Sequence, residues 1–209
     1  MNSRFVIRPI SDSIFTHVDS RGYFSNEKVG DFQELYDCSW NFDRLILPSP
    51  IGGEREIVKL QENGSLNAFA CVDTTKNYPI AFFTLAAASL DVPAEFRKGS
   101  DDVDWNAFPS IQIDYLFVDK ELQRCGVGSF ILNWIKENAL KKCRCFEAFR
   151  FIFLNSIKTE QALSFYRKNL FLFADENDRW NIEESLNDGT FYDEKDVVVP
   201  MFFDLKRLN

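Results

Sequence analysis

The stretch that most limits what this chain can fold into is Ile111-Gln-Ile-Asp-Tyr-Leu-Phe-Val118, a β-rich run of nearly continuous apolar character. It reads as a strand buried on both faces. Asp119-Lys-Glu-Leu-Gln-Arg-Cys-Gly-Val-Gly128 then forms a turn. After it, Phe130, Ile131, Trp134, Ile135, Ala139 and Leu140 fall at the spacings of one helical face, with Lys136, Glu137, Lys141 and Lys142 largely on the other. The order is strand, glycine loop, amphipathic helix, and whatever sheet forms must accommodate it.

The flanking sequence supplies the rest of that sheet. Phe5 to Ile10 reads as a first strand stopped by Pro9, and a helix is expected around Asp31 to Ile46. Leu66 to Asp73 and Pro79 to Leu90 read as two strands of a hairpin, joined by the polar Thr74-Thr75-Lys76-Asn77-Tyr78. Phe146 to Leu154 is a further apolar strand, capped by Asn155-Ser156. A helix follows from about Thr159, then short strands at Phe171 to Ala174 and Val197 to Leu205. Two acidic excursions interrupt the pattern, Asp91 to Ser110 and Asp175 to Asp196. The expected fold is α/β (α+β), helices on one mixed sheet, and the 209 residues suit a single domain.

Composition narrows the chemistry. With 24 Lys+Arg against 32 Asp+Glu the net charge is −8, so a phosphate backbone is repelled at long range and nucleic acid is not the expected partner. There is one histidine, His17, which excludes multi-histidine metal sites and leaves carboxylates, Tyr, Lys and Cys for acid–base work. Five cysteines are an odd number, Cys143-x-Cys145 lacks the partners of a zinc site, and no charged-then-apolar leader opens the sequence. These features lead us to expect a cytoplasmic protein without metal or membrane span.

Gln123-Arg-Cys-Gly-Val-Gly128 lies where a strand turns into a helix. Glycines there permit positive φ and close approach to a ligand, and the free N–H groups sit at the positive end of the helix dipole, which suits a phosphate or pyrophosphate. Two glycines at a turn are also ordinary punctuation, and the spacing is neither G-x-x-x-x-G-K-[ST] nor G-x-G-x-x-G.

The Q-x-x-G-x-G loop after an apolar strand, the helix from Phe130 to Leu140, the strand at Phe149 to Asn155 and Ala162-Leu-Ser-Phe-Tyr-Arg-Lys-Asn169 together resemble the GNAT family of acyl-CoA N-acyltransferases. That family carries Q/R-x-x-G-x-G/A in the loop and A-x-x-F-Y-x-K-x-G-F in the later helix. The resemblance is concentrated in Ile111 to Phe173. The hairpin, the acidic insertion after it and the closing Val-Pro-Met-Phe-Phe-Asp-Leu205 point toward the family's toxin-like branch. Leu170 departs from the pattern, standing where the family has Gly, and Arg124 and Cys125 replace Lys/Gly-rich loop positions.

What the resemblance implies is a mostly antiparallel sheet whose splayed central strands form an acyl-CoA cleft. Main-chain groups near Phe117 and Val118 would hold the pantetheine arm and polarise the thioester carbonyl. Gln123, Arg124, Cys125, Gly126, Val127, Gly128 and Ser129 would form the pyrophosphate loop, and Asn155 would contact the cofactor arm. Tyr166 would protonate the departing thiolate, since a phenol of ordinary pKa near 10 is protonated at neutral pH. Asp114 is the candidate general base, with a satisfied strand carboxylate as the competing reading. The implied activity is acetyl transfer from acetyl-CoA to a primary amine of a small molecule, peptide or protein, by a monomer or homodimer. A cationic acceptor is expected from the two acidic excursions. The alternatives are a toxin-like transferase acting on aminoacyl-tRNA and a non-catalytic acyl-CoA-binding protein.

Overall fold

The computed structural model describes residues 4–10, 56–93, 96, 107–145 and 149–208. The helix expected around Asp31 to Ile46, His17, Cys38 and the acids Asp101, Asp102 and Asp104 lie outside these. Among the described residues seven strands make one sheet in the order β1-β2-β3-β4-β5-β7-β6. They are β1 (Phe5–Pro9), β2 (Asn67–Asp73), β3 (Tyr78–Leu90), β4 (Phe108–Val118), β5 (Phe151–Lys158), β6 (Leu172–Phe173) and β7 (Glu194–Asp204). The helices are α1 (Glu56–Glu62), α2 (Val127–Cys145), α3 (Glu160–Lys168) and α4 (Glu176–Asp188). β1 with β2, β2 with β3, β5 with β7 and β6 with β7 run antiparallel, whereas β4 and β5 run parallel. That parallel ladder has four rungs, Ser110↔Phe151 to Ile113↔Leu154, and ends there.

Two compact units are distinguished, one formed by the residues up to Ala86 with Asp114–Asn133, the other by Ala87–Ile113 with the chain from Trp134 on. In the first, Ala68, Ala70 and Val72 of β2 alternate onto the face covered by Ile57 of α1, joined by Ile10, Leu66 and Phe82. Gln61 stitches the helix end to the sheet: its Nε2 donates to the Ile10 carbonyl at 3.1 Å and its Oε1 accepts from the Ala68 N–H at 3.0 Å. The β2–β3 turn is organised by the buried Asp73, whose Oδ1 accepts from the Thr75 N–H and hydroxyl while Oδ2 accepts two bonds from Arg4.

The 22 phenylalanines explain much of the second unit. Phe151 and Phe202 are fully buried and meet edge-on, and Phe96 and Phe108 extend the cluster with further edge-on contacts. Phe203 and Phe171 make a separate ring contact at 5.8 Å. Arg150 and Asp204 close the start of β5 against the end of β7 with two hydrogen bonds.

Four elements differ from expectation. β4, expected to be buried on both faces, buries only Ser110 and Ile113, and its remaining residues are half-buried or exposed. β5 runs through Asn155 and Ser156 to Lys158 instead of stopping at Leu154, because β7 supplies partners opposite them (Asn155↔Pro200, Ser156↔Val199) and pairing overrides local turn preference. Most of the second acidic excursion is helix α4. Its N-cap Asp175 accepts from the N–H groups of Asn177 and Asp178, and Gly189 ends it at φ 74°. Finally, Lys136, expected on the polar face of α2, is buried at 5% exposure, in line with the buried Leu132, Ile135 and Ala139.

Candidate functional site

In the first unit β4 ends in a built turn. The Asp119 N–H donates to the Ile80 carbonyl at 2.9 Å, and the Asp119 carboxylate caps the single turn Lys120–Leu122 by accepting from the Glu121 N–H. Gln123 Nε2 donates back to the Val118 carbonyl at 3.2 Å, so this side chain fastens the loop to the strand end. Arg124 and Gly126 then take left-handed backbone at φ 61° and 86°. Two such residues so close together turn the chain sharply into α2. Glycine adopts this geometry freely, whereas arginine does so at a cost of roughly 1 kcal/mol.

The consequence for hydrogen bonding is specific. The N–H groups of Gln123 and Cys125 are used inside the turn, on the carbonyls of Lys120 and Leu122. The first intrahelical bond runs from the Phe130 N–H to Gly126. The N–H groups of Arg124, Gly126, Val127, Gly128 and Ser129 have no acceptor among the described residues. Of the run from Gln123 to Ser129 expected to form the loop, the main-chain donors of Gln123 and Cys125 are already spent. Val127 is buried and anchors the first helical turn, while Gly126 is exposed with no atom within 4 Å of where a Cβ would stand. The result is a cluster of unengaged N–H donors at the positive end of a 19-residue helix, a geometry suited to an anion.

Upstream on β4, Phe117 stacks on Tyr115 with centroids 5.8 Å apart. Asp114 is exposed, and partial burial of its carboxyl raises its pKa above the ordinary value. Cys125 is an exposed free thiol, while Cys71, buried in β2, has its thiol pushed up to about 12 by burial and by the Asp73 charge.

Asn155 and Tyr166 belong to the second unit. Asn155 is exposed on β5. Tyr166 lies in the last turn of α3, whose N-cap Thr159 accepts from the Ala162 N–H. Its ring meets Phe165 at 4.9 Å and Phe171 at 5.8 Å. Its hydroxyl makes no hydrogen bond to another described residue, and burial raises the phenol pKa above its ordinary value, so the hydroxyl stays protonated at every physiological pH.

The departure at Leu170 leaves the helix exit unchanged. The Phe171 N–H donates to the Tyr166 carbonyl and the Leu170 N–H to the Arg167 carbonyl, while Leu170 itself adopts φ 66° with 59% of its surface exposed. This is the six-to-one and five-to-two closure normally completed by glycine. Beside it opens a pocket of about 440 Å³ whose charged border is Arg167, Arg179, Arg207, Glu176 and Glu183. Glu183, from the second acidic excursion, is paired with both Arg167 and Arg179, so this border is of mixed charge rather than an acidic wall. Among the described residues no three His, Cys, Asp or Glu side chains converge as metal ligands, and no helix is long and apolar enough to cross a membrane.

No protein-family model matches the chain, and no curated protein matches it in sequence. Solved structures do resemble it. A tyrosine-to-phenylalanine mutant of KacT matches at 13% identity and TM-score 0.64, covering 99% of this chain and 98% of that one. AtaT complexed with acetyl-methionyl-tRNAfMet matches at 14% identity and TM-score 0.61, covering 98% and 96%. AtaTR bound with AcCoA matches at 15% identity and TM-score 0.58, again covering 98% and 96%. The strand order, the four-rung parallel ladder and the loop that opens α2 accordingly belong to a GNAT fold.

Proposed function

We propose that this protein is an acetyl-CoA-dependent N-acetyltransferase that moves an acetyl group to a primary amine. The observation that carries the reading is the set of unengaged N–H groups at Arg124, Gly126, Val127, Gly128 and Ser129, opening a long helix directly after β4. Those donors suit a pyrophosphate, and the main chain at Phe117 and Val118 suits the amide-bearing arm that follows it. AtaTR has been solved with AcCoA on a similar fold, which supports the cofactor class.

The chemistry asked of the chain is modest. The amine nitrogen attacks the thioester carbonyl, the carbon–sulfur bond breaks, and the thiolate takes a proton. Tyr166 supplies that proton and is restored by the one the new amide nitrogen releases. Asp114, with its raised pKa, serves as the base that takes the extra proton of the ammonium form before attack, and Asn155 contacts the cofactor arm. The whole chain works as one acyltransferase domain.

A second reading is favoured by one observation: a similar structure, AtaT, holds acetyl-methionyl-tRNAfMet. Against it stands the −8 net charge. One experiment separates the readings. The protein is mixed with acetyl-CoA and, in turn, small amines, peptides and charged tRNA, while free thiol is followed. Thiol release driven by an amine or peptide is the expected result, and release with charged tRNA alone favours the second reading. Tight acetyl-CoA binding without release by any acceptor overturns both, leaving a non-catalytic binder.

A further inference from the structure

Lys136 is an anomaly that the proposed chemistry does not use. It is buried at 5% exposure in the middle of α2, and its ammonium has no carboxylate partner among the described residues. An unpaired buried cation is costly unless its surroundings compensate. Here the compensation comes from three groups. Nζ donates to the Asn169 main-chain carbonyl at 2.6 Å, and it stands 4.2 Å from the centre of the Phe203 ring and 5.3 Å from that of Phe171. The carbonyl is an orphan acceptor at the C-terminal, negative end of α3, and the two ring faces favour a cation.

The placement matters because of what those groups hold. Asn169 is the C-cap of α3, and its N–H bonds back to the carbonyls of Phe165 and Tyr166. Phe171 donates its N–H to Tyr166 and packs its ring against the Tyr166 ring. The ammonium therefore grips both flanks of the turn in which Tyr166 sits. We propose that Lys136 is a positioning residue for Tyr166, its charged amine clamping the end of α3 through the Asn169 carbonyl and the Phe171 ring so that the phenol keeps one orientation. This rests on the reading of Tyr166 as the proton donor.

Burial alone lowers the Lys136 pKa, to about 8, so the clamp weakens within an accessible pH range. The groups packed against the ammonium from α3, its exit turn and β7 are a carbonyl and two phenyl rings, none titratable. The titratable group that follows in this contact chain is Tyr166 itself.

The test uses full-length protein with ring-¹³C-labelled tyrosine, the Tyr166 resonance being assigned by its loss in Tyr166→Phe. In the wild type that resonance should move with a midpoint near pH 8, and in Lys136→Met it should stay at its high-pH position throughout. Lys136→Arg, whose charge does not titrate, should hold it at the low-pH position, and this variant carries the test if Lys136→Met does not fold. In turnover, Lys136→Met should lower kcat about tenfold at unchanged KM for acetyl-CoA, with no further loss when added to Tyr166→Phe. A Tyr166 resonance blind to both pH and Lys136, or losses that multiply in the double variant, overturns the proposal. Wild-type protein that transfers acetyl to no acceptor overturns the enzymatic reading instead, and the resonance still reports whether Lys136 governs Tyr166.

Discussion

The Phe171 N–H donates to the Tyr166 carbonyl at 3.0 Å while the rings of the same two residues touch at 5.8 Å, so one pair of residues closes α3 through both main chain and side chain. Between them Leu170 occupies a left-handed position that leucine adopts at a cost of roughly 1 kcal/mol. Its side chain is mostly exposed and contributes little burial in return. Leu170→Gly is expected to stabilise the fold by about 0.5–1 kcal/mol in urea unfolding with an unchanged m-value.

Tyr166→Phe keeps the ring contacts and removes only the proton. It should lower kcat by about a hundredfold and leave acetyl-CoA affinity within twofold, measured by steady-state kinetics and calorimetry. Because burial holds the phenol above its ordinary pKa, kcat of Lys136→Arg, in which the neighbouring cation does not titrate, should show no alkaline fall up to about pH 10. Equal kcat for Tyr166→Phe and the wild type would remove Tyr166 from the mechanism.

Gly126 has φ 86° and open space around it. In Gly126→Ala the added methyl meets no protein atom, so the stability loss should be the backbone strain alone, about 1 kcal/mol or a few degrees in Tm. Acetyl-CoA affinity should fall about tenfold, because the methyl borders the unengaged N–H groups. As an independent check, bound acetyl-CoA should slow alkylation of the exposed Cys125, mapped by mass spectrometry, while buried Cys71 stays unlabelled in either state.

Asp73 ties the β2–β3 turn to Arg4. The Thr75 hydroxyl, against an opposing cost of burial, and then Arg4 hold its carboxyl down at about 2, below the ordinary value near 4. A folded-state pKa below the unfolded one contributes stability above pH 4 that is lost as pH falls from 4 to 2. Asp73→Asn should therefore cost about 2 kcal/mol at pH 7 and flatten acid denaturation over that window. A variant whose acid transition matches the wild type would show that the turn does not draw on this charge.

The strand–loop–helix unit was legible because its signals are local and redundant: an apolar run, glycines and a helical stripe all agree at Ile111 to Leu140. The site's details were not, since they depend on partners distant in sequence. Nothing around Gln123 marks its amide as a tie to Val118, and nothing in Asn155-Ser156 announces that β7 will extend their strand. Helix α4 escaped because its acids suggested a loop, although Asp175 and Gly189 were visible cap residues at either end. Lys136 shares its turn with Glu137 and so resembled the solvent face, yet its register with Leu132, Ile135 and Ala139 places it inward.

The order β5-β7-β6 has a consequence for how the chain is made. β7 is synthesised after both neighbours and must insert between them, pairing Phe151 with Asp204 across 53 residues and Leu172 with Phe202 across 30. Until it arrives, β5 presents one open edge rich in phenylalanine and β6 has no strand partner among the described residues. Such long-range pairing is slow to form, and an unpaired apolar edge invites association with other chains. The nascent protein therefore passes through a period in which aggregation, rather than the stability of the finished sheet, decides its yield.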